Sequence, residues 1–291
     1  MNARSVGTVI VSALVALMVS YLVVSGAGDR VSRPAVAPRA ETAYERVIRT
    51  GILRCGYSPW PPYFSLDPNS GVLSGLSKDL SDVAAKLMGI KLEYVQITNG
   101  QQVQDLNSGK IDAVCGDGPW VISTIKHIDY TRSYMYAAVY IYGRADETRF
   151  QTFDDLNRPN VTFTGIDGDL SSDLVESNFS QAKISTMAST TDPSQLMLNV
   201  TTGKADVTII DPLAASLFIK NNHGKLKLLI TQPVAVYGAG FSVRKGEASL
   251  LNTLNEAVNA SINTGAAERV LKKYDPDGSL FLPVATPYRR P

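Results

Sequence analysis

The sequence predicts an α/β protein built from two similar lobes, and three observations carry that prediction. First, a ten-residue stretch occurs twice. Ser108 to Asp117 reads SGKIDAVCGD, and ninety-four positions later Thr202 to Asp211 reads TGKADVTIID. Both copies hold a small hydroxyl residue, Gly-Lys, an Asp, a short apolar run, and a second Asp five places after the first. Second, Gly109 and Gly203 follow segments of helical periodicity, as helix-ending left-handed glycines do. Third, the apolar runs Ile111–Cys115 and Val207–Ile210 are too short for helices and fit strands buried on both faces, the parallel-sheet pattern. Each copy therefore reads helix, glycine, strand. Asp117 and Asp211 fall at the strand's carboxyl end, where open α/β sheets bind ligands.

The bulk numbers narrow the function. A chain of 291 residues, 44% hydrophobic and 19% charged, can bury one large or two medium cores. A formal net charge of +1 argues against nucleic-acid partners and anionic surfaces. Cys55 and Cys115 lack metal-ligand spacing, and His127 and His223 stand far apart, so no metal and no cofactor is expected.

In chain order, Ser5 to Gly28 is an uncharged, Val/Leu/Ala-rich run behind Arg4. It reads either as a cleaved signal peptide or as a signal-anchor helix long enough to span a bilayer. Residues 29–42, with Pro34 and Pro38, read as an extended linker. Ile52–Gly56 is a first strand, followed by YSPWPPYFSLDPNSG, a proline-stiffened aromatic loop whose Trp60 and Tyr63 are candidates to line a pocket. A helix capped by Ser77 runs to Gly89, and a strand covers Ile90–Ile97, with Asn99 after it as a further candidate binding residue. Tyr134–Tyr142, Val161–Gly165 and Leu226–Ile230 read as strands, and Val234–Val243 as an extended return segment. Ser171 opens one helix, and Asp192-Pro193 opens another as cap and first turn. Glu247–Ile262 and Ala266–Tyr274 read as helices. Asp112 and Asp206 start their strands and read as structural groups bonding the preceding turn.

Taken together, GILRCGYSPWPPYF, GVLSGLSKDLSDVAAKLMGI, SGKIDAV, IDYTRSY, GKADVTIID and LNTLNEAVNASINTGAAERVLKKY resemble the family 3 extracytoplasmic solute-binding proteins. The resemblance implies the two-lobe, type II periplasmic-binding (Venus-flytrap) α/β fold, with a hydrophobic helix ahead of it. It places residues 43–142 plus 238–291 in lobe 1 and 143–237 in lobe 2. Tyr142, Gly143, Tyr237 and Gly238 mark the hinge crossings. Residues 1–28 are the signal peptide or anchor, and 29–42 the linker.

The resemblance also assigns site positions. Amino-acid binders of the family carry a carboxylate-gripping Arg seven residues past the position held here by Asp117. That position is Thr124, so the α-carboxylate clamp is missing. Lys126 sits two residues on and does not replace it. Asp211 matches the acid that binds a ligand's ammonium group. Asp117 and Asp169 add further carboxylates, or else bond local backbone N–H groups as loop residues. Trp60, Tyr63 and Trp120 are placed for cation–π contact. The expectation is a monomeric periplasmic protein, soluble or tethered by residues 5–28, that binds a small cationic or amine-bearing solute and delivers it to an ABC-type permease. A membrane-tethered sensor and a periplasmic dehydratase-like enzyme are the alternatives. Cys55 and Cys115 form either a disulfide, in an oxidising compartment, or two free thiols.

Overall fold

The computed structural model describes residues 39–118 and 124–284. The expected leader, most of the linker and Trp120 lie outside these residues. Helix α1 (Ala43–Thr50) opens on a capping box, Thr42 and Glu45 each bonding the other's backbone N–H. Apolar periodicity does not reveal this helix, because only Val47 on it is buried. Strand β1 (Ile52–Tyr57) leads into the aromatic loop, a short hairpin of β2 (Ser65–Leu66) and β3 (Leu73–Ser74), and helix α2 (Leu76–Met88). The N-cap of α2 is Gly75, not Ser77. At φ +127° this glycine passes so close to the Tyr63 carbonyl that a Cβ would collide with it. Ser77 is instead buried in the first turn.

Strand β4 (Lys91–Gln96), helix α3 (Gln102–Asn107), strand β5 (Ala113–Asp117), strand β6 (Ile128–Tyr130) and the long strand β7 (Met135–Arg144) complete the first pass. The second pass runs α4 (Phe153–Leu156), β8 (Thr162–Ile166), α5 (Leu170–Asn178), β9 (Lys183–Met187), α6 (Ser194–Thr201), β10 (Val207–Ile210), α7 (Pro212–Asn221) and β11 (Leu226–Leu228). The long strand β12 (Ala235–Arg244), helices α8 (Ala248–Asn263) and α9 (Ala266–Tyr274), and β13 (Phe281–Pro283) close the described chain. Pro193 is itself the N-cap of α6, one residue later than the sequence pattern suggested. Asp192 still serves that helix by accepting the Ser194 N–H. The pattern missed α7 and β9: α7 is apolar nearly all round, and β9 lies at the sheet's edge.

The sheet runs β4-β1-β5-β12-β7-β10-β8-β9. Its two halves share one topology. In the first, β1 lies between β4 and β5, all parallel, and β12 joins antiparallel. In the second, β8 lies between β9 and β10, all parallel, and β7 joins antiparallel. Separate apolar cores form on them: Leu53, Leu80, Phe241 and Leu254 belong to one in the first half, Phe163, Phe179 and Ile209 to one in the second. Two long strands tie the halves together. In β7, Met135–Val139 pairs with β12 and Tyr140–Gly143 with β10. In β12, Ala235–Ala239 pairs with β7 and Gly240–Val243 with β5, across a register shift at Gly240/Phe241.

The repeated motif forms the same turn twice. Gly109 and Gly203 adopt φ of +69° and +76°. Their N–H groups bond the carbonyls of Leu106 and Val200, and the next N–H groups, of Lys110 and Lys204, bond those of Asp105 and Asn199. Asp112 and Asp206 then clamp the neighbouring strand, rather than the preceding turn. The Asp112 N–H bonds the Arg54 carbonyl while its carboxylate accepts the Arg54 N–H; Asp206 does the same with Thr162. Arginines neutralise both acids, Arg46 and Arg54 on Asp112 and Arg149 on Asp206. The two bonds fix the start of β5 and of β10 in register against the neighbouring parallel strand.

Cys55 and Cys115 are joined by a disulfide, with Cα atoms 5.7 Å apart, linking the buried β1 and β5. It closes a loop of sequence separation 60. Exchanging both cysteines for serine is expected to lower the unfolding free energy by about 2–4 kcal/mol, through a less constrained unfolded chain. Urea titration of the oxidised protein against the double variant measures this, and an unchanged midpoint contradicts it.

Candidate functional site

The carboxyl ends of β1, β4, β5, β8 and β10 converge on one cavity of ≈ 180 Å³. Each strand end contributes a loop or helix start to the wall, because parallel strands release their chains at the same edge. From the first half come Ser58, Trp60 and Tyr63 after β1, and Asn99 and Gln102 after β4. Ser77, Thr124 and Tyr130 add hydroxyls, and Val114 and Cys115 line it from β5. From the second half come Gly168, Asp169 and Leu170 after β8, Ile210 at the end of β10, and Asp211 directly after it. The volume suits a small solute, being below the ~300–1,000 Å³ of drug-sized pockets.

Two carboxylates define the electrostatics. Asp169 is the N-cap of α5 and accepts both the backbone N–H and the hydroxyl of Ser171, each on Oδ1. Burial outweighs those bonds and raises its pKa to about 6. Asp211 is the N-cap of α7, 6% exposed, and accepts the Ala214 N–H at 2.9 Å. Across the cavity the Tyr63 hydroxyl donates to it at 2.9 Å and the Trp60 indole Nε1 at 3.2 Å. Burial again raises its pKa, against three hydrogen bonds that favour the ionised form. The Tyr63 phenol is pushed well above its ordinary value by burial and by the Asp211 charge beside it.

No Arg, Lys or His lines the cavity among the described residues. Thr124, at the position where the resemblance puts a carboxylate-binding Arg, is buried in the wall with its Oγ1 2.6 Å from the Tyr130 hydroxyl. Lys126 is exposed and off the cavity. The chain thus offers negative charge, amide and hydroxyl groups, and aromatic faces, but no described cation to pair with a ligand carboxylate.

The structure brings Trp60, Tyr63, Asn99, Asp169 and Asp211 together around this cavity. Asp117 is the last residue of β5, and Trp120 lies outside the described residues. Tyr142 and Gly143 pair with Thr208 and Val207 of β10, whereas Tyr237 and Gly238 pair with Ala137 and Tyr136 of β7. The change of strand partner falls at Val139/Tyr140 and at Ala239/Gly240. Sequence reasoning missed Ser58, Ser77, Gln102 and Tyr130 as lining residues. Polar residues at the ends of helices and strands and in the loops between them carry no periodic pattern, and only the convergence of strand ends selects them.

Residues 53–276 match the family model of bacterial extracellular solute-binding proteins, family 3. The L-cystine-binding protein TcyJ of Escherichia coli (strain K12) is 22% identical over 235 residues, 80% of this chain and 86% of that protein. A probable histidine-binding protein of Neisseria gonorrhoeae is 24% identical over 262 residues, 89% of this chain and 93% of that protein. Among solved structures, the ancestral amino acid-binding protein AncCDT-1, a precursor of cyclohexadienyl dehydratase, superposes with a TM-score of 0.69 at 26% identity, over 80% of this chain and 99% of its own. With the paired sheet halves, the two linking strands and a cavity at the strand ends, the family match is decisive: the chain belongs to the family 3 bacterial extracellular solute-binding proteins.

Proposed function

We propose that this protein receives a small cationic or amine-bearing solute outside the cytoplasm, closes its two lobes around it, and presents it to an ABC-type permease. The observation that carries the ligand class is a cavity walled by two carboxylates, the buried Asp211 and the half-buried Asp169, with no described basic side chain. A buried carboxylate without a countercharge is costly, and a cationic solute supplies one. Trp60 and Tyr63 add aromatic faces, worth about 0.5–2 kcal/mol each toward a cation. Asn99, Gln102 and Thr124 supply neutral hydrogen-bonding groups for the rest of the molecule. Lobe 1 takes residues 43–142 and 238–291, lobe 2 takes 143–237, and β7 and β12 act as the hinge. The apolar stretch 5–28 directs export and leaves the domain free or tethered.

A dehydratase-like reading draws on the described ancestry of AncCDT-1. Acting on a dicarboxylic cyclohexadienyl acid calls for cationic groups as well as a general acid. The acidic cavity favours binding over that chemistry, and absence of turnover of such an acid is the expected result.

Isothermal titration of the protein with putrescine, glycine betaine, L-arginine, L-alanine and L-glutamate tests the ligand class. At least one of the first three is expected to bind, and L-glutamate is not. Tight binding of L-alanine or L-glutamate alone overturns the proposal.

A further inference from the structure

We infer that Asp211, Trp60 and Tyr63 form a protein-to-protein latch that holds the two lobes closed without any solute, so that Asp211 serves closure and Asp169 is left to recognise the solute's charge. The second half of this inference rests on the reading of the solute as a cation; the latch itself does not.

The donors around Asp211 come from both sides of the cleft. The Ala214 N–H belongs to its own helix, α7. The Tyr63 hydroxyl and Trp60 indole belong to the loop after β1, in the other half of the sheet. A carboxylate offers about four acceptor positions, and three are filled by the protein itself. Bonds from neutral donors to an ionised acceptor are among the stronger ones in a low-dielectric interior.

Apolar packing runs the same way and is reciprocal. The Trp60 ring, from the first half, packs against the second half's cluster of Tyr142, Ile210 and Phe218. Leu213, two residues past the latch acid on α7, is buried in the first half's cluster with Tyr134 and Phe241. Each lobe thus inserts one side chain into its partner's core beside the shared carboxylate. The lobes also meet by backbone alone at Gly100 and Gly168, where a Cβ on Gly168 would lie 2.9 Å from the Gly100 Cα. Opening the cleft breaks the two cross-lobe bonds and exposes both inserted side chains. Closure therefore has a driving force written into the chain.

Asp169 has a different set of partners. Its hydrogen bonds are to Ser171, within its own lobe and on one oxygen. No described residue of the opposite lobe bonds it, so a solute cation can take the second oxygen without competing with closure.

The test reads closure in the solute-free full chain. The sequence's two cysteines are both in the disulfide, so spin labels can be attached at Lys86→Cys on α2 and Lys183→Cys on β9, both exposed positions in opposite halves. Electron–electron double resonance then gives the interlobe distance distribution. The labelled parent is expected to show a closed population. Tyr63→Phe, which keeps the ring and removes one bond, is expected to lower the closed-to-open ratio by about tenfold. Asp211→Asn, which can still cap α7 but opposes an amide donor to a donor, is expected to lower it at least as far. Glu176→Gln, an exposed charge change on α5, is expected to leave it unchanged. A parent that is open throughout, or variants with the parent's closed fraction, overturns the latch. Circular dichroism melts of each variant separate loss of closure from loss of fold. Because no solute is present, this outcome is independent of the titrations that test the ligand class.

Discussion

Asp169→Asn is expected to weaken binding of a cationic solute by about a hundredfold while leaving the fold in place, as removal of one partner of a buried charged pair does. The fold survives because Asn caps a helix as well as Asp does, and the Ser171 contacts can be kept. The same residue predicts a pH dependence. Its carboxyl is raised from 3.8 to about 6 in the folded protein by burial. Below pH 3.8 it is protonated in both folded and unfolded chains and contributes nothing to stability. Between 3.8 and about 6 the unfolded chain ionises while the folded one resists, so folding is progressively disfavoured; above about 6 the cost is constant, on the order of 3 kcal/mol. The solute-free protein should therefore melt at a lower temperature at pH 7.5 than at pH 5, and Asp169→Asn should flatten that difference. Glu147, held down to about 2 chiefly by Arg149, contributes stability that is lost only as the pH falls below about 4.5, outside this window. A cationic solute reverses the sign for binding. It selects the ionised carboxylate, so apparent affinity should be constant above about pH 6.5 and fall about tenfold per unit below 6. Titrations across pH 5–8 with putrescine measure this, and an affinity that rises on acidification contradicts it.

Gly168→Ala should block closure. This glycine sits at φ +80°, a region that costs a residue with a Cβ about 1–2 kcal/mol. Its added carbon would also lie 2.9 Å from both the N and Cα of Gly100 and 3.0 Å from the Asn99 carbonyl carbon. Those are backbone atoms of the opposite lobe, which cannot rotate aside as a side-chain end can. The lobes must part, and the closed, binding-competent fraction falls. Apparent affinity falls by the same factor, because the measured constant is the intrinsic one divided by that fraction. A loss of at least a hundredfold is expected, with only a modest shift in melting temperature because the strain is local to one turn. Gly100→Ala should be milder, since its Cβ would meet only the Gly168 Cα, at 3.4 Å. Equal binding by Gly168→Ala and the parent protein would falsify the closed geometry at this contact.

Much of this architecture is visible in the residue pattern. The Gly-Lys-x-Asp repeat marks two equivalent turns, and the short apolar runs mark buried parallel strands. Asp211 is identified as a cleft residue because it follows the second such strand directly. Other parts are not visible. Helix α1 buries one side chain and shows no apolar face. Helix α7 is apolar nearly all round because both lobes' cores claim it, Leu213 in one and Ala214 and Phe218 in the other. The duplicated Asp112 and Asp206 look like turn residues in sequence, yet they hold a neighbouring strand more than forty residues away.

The sequence by itself determined the two-lobe α/β class, the duplicated helix–glycine–strand unit, and the absence of a basic residue at Thr124. Those follow from local chemistry: periodicity, left-handed glycines and side-chain identity are properties of neighbours along the chain. Tertiary structure alone decided how the acids divide. Asp169 and Asp211 are both aspartates capping a helix after a strand, and their local sequence does not say which one bonds across the cleft. Only folding brings Trp60 and Tyr63 within hydrogen-bonding distance of Asp211, some 150 residues away in the chain, and gives Asp169, among the described residues, partners within its own lobe alone.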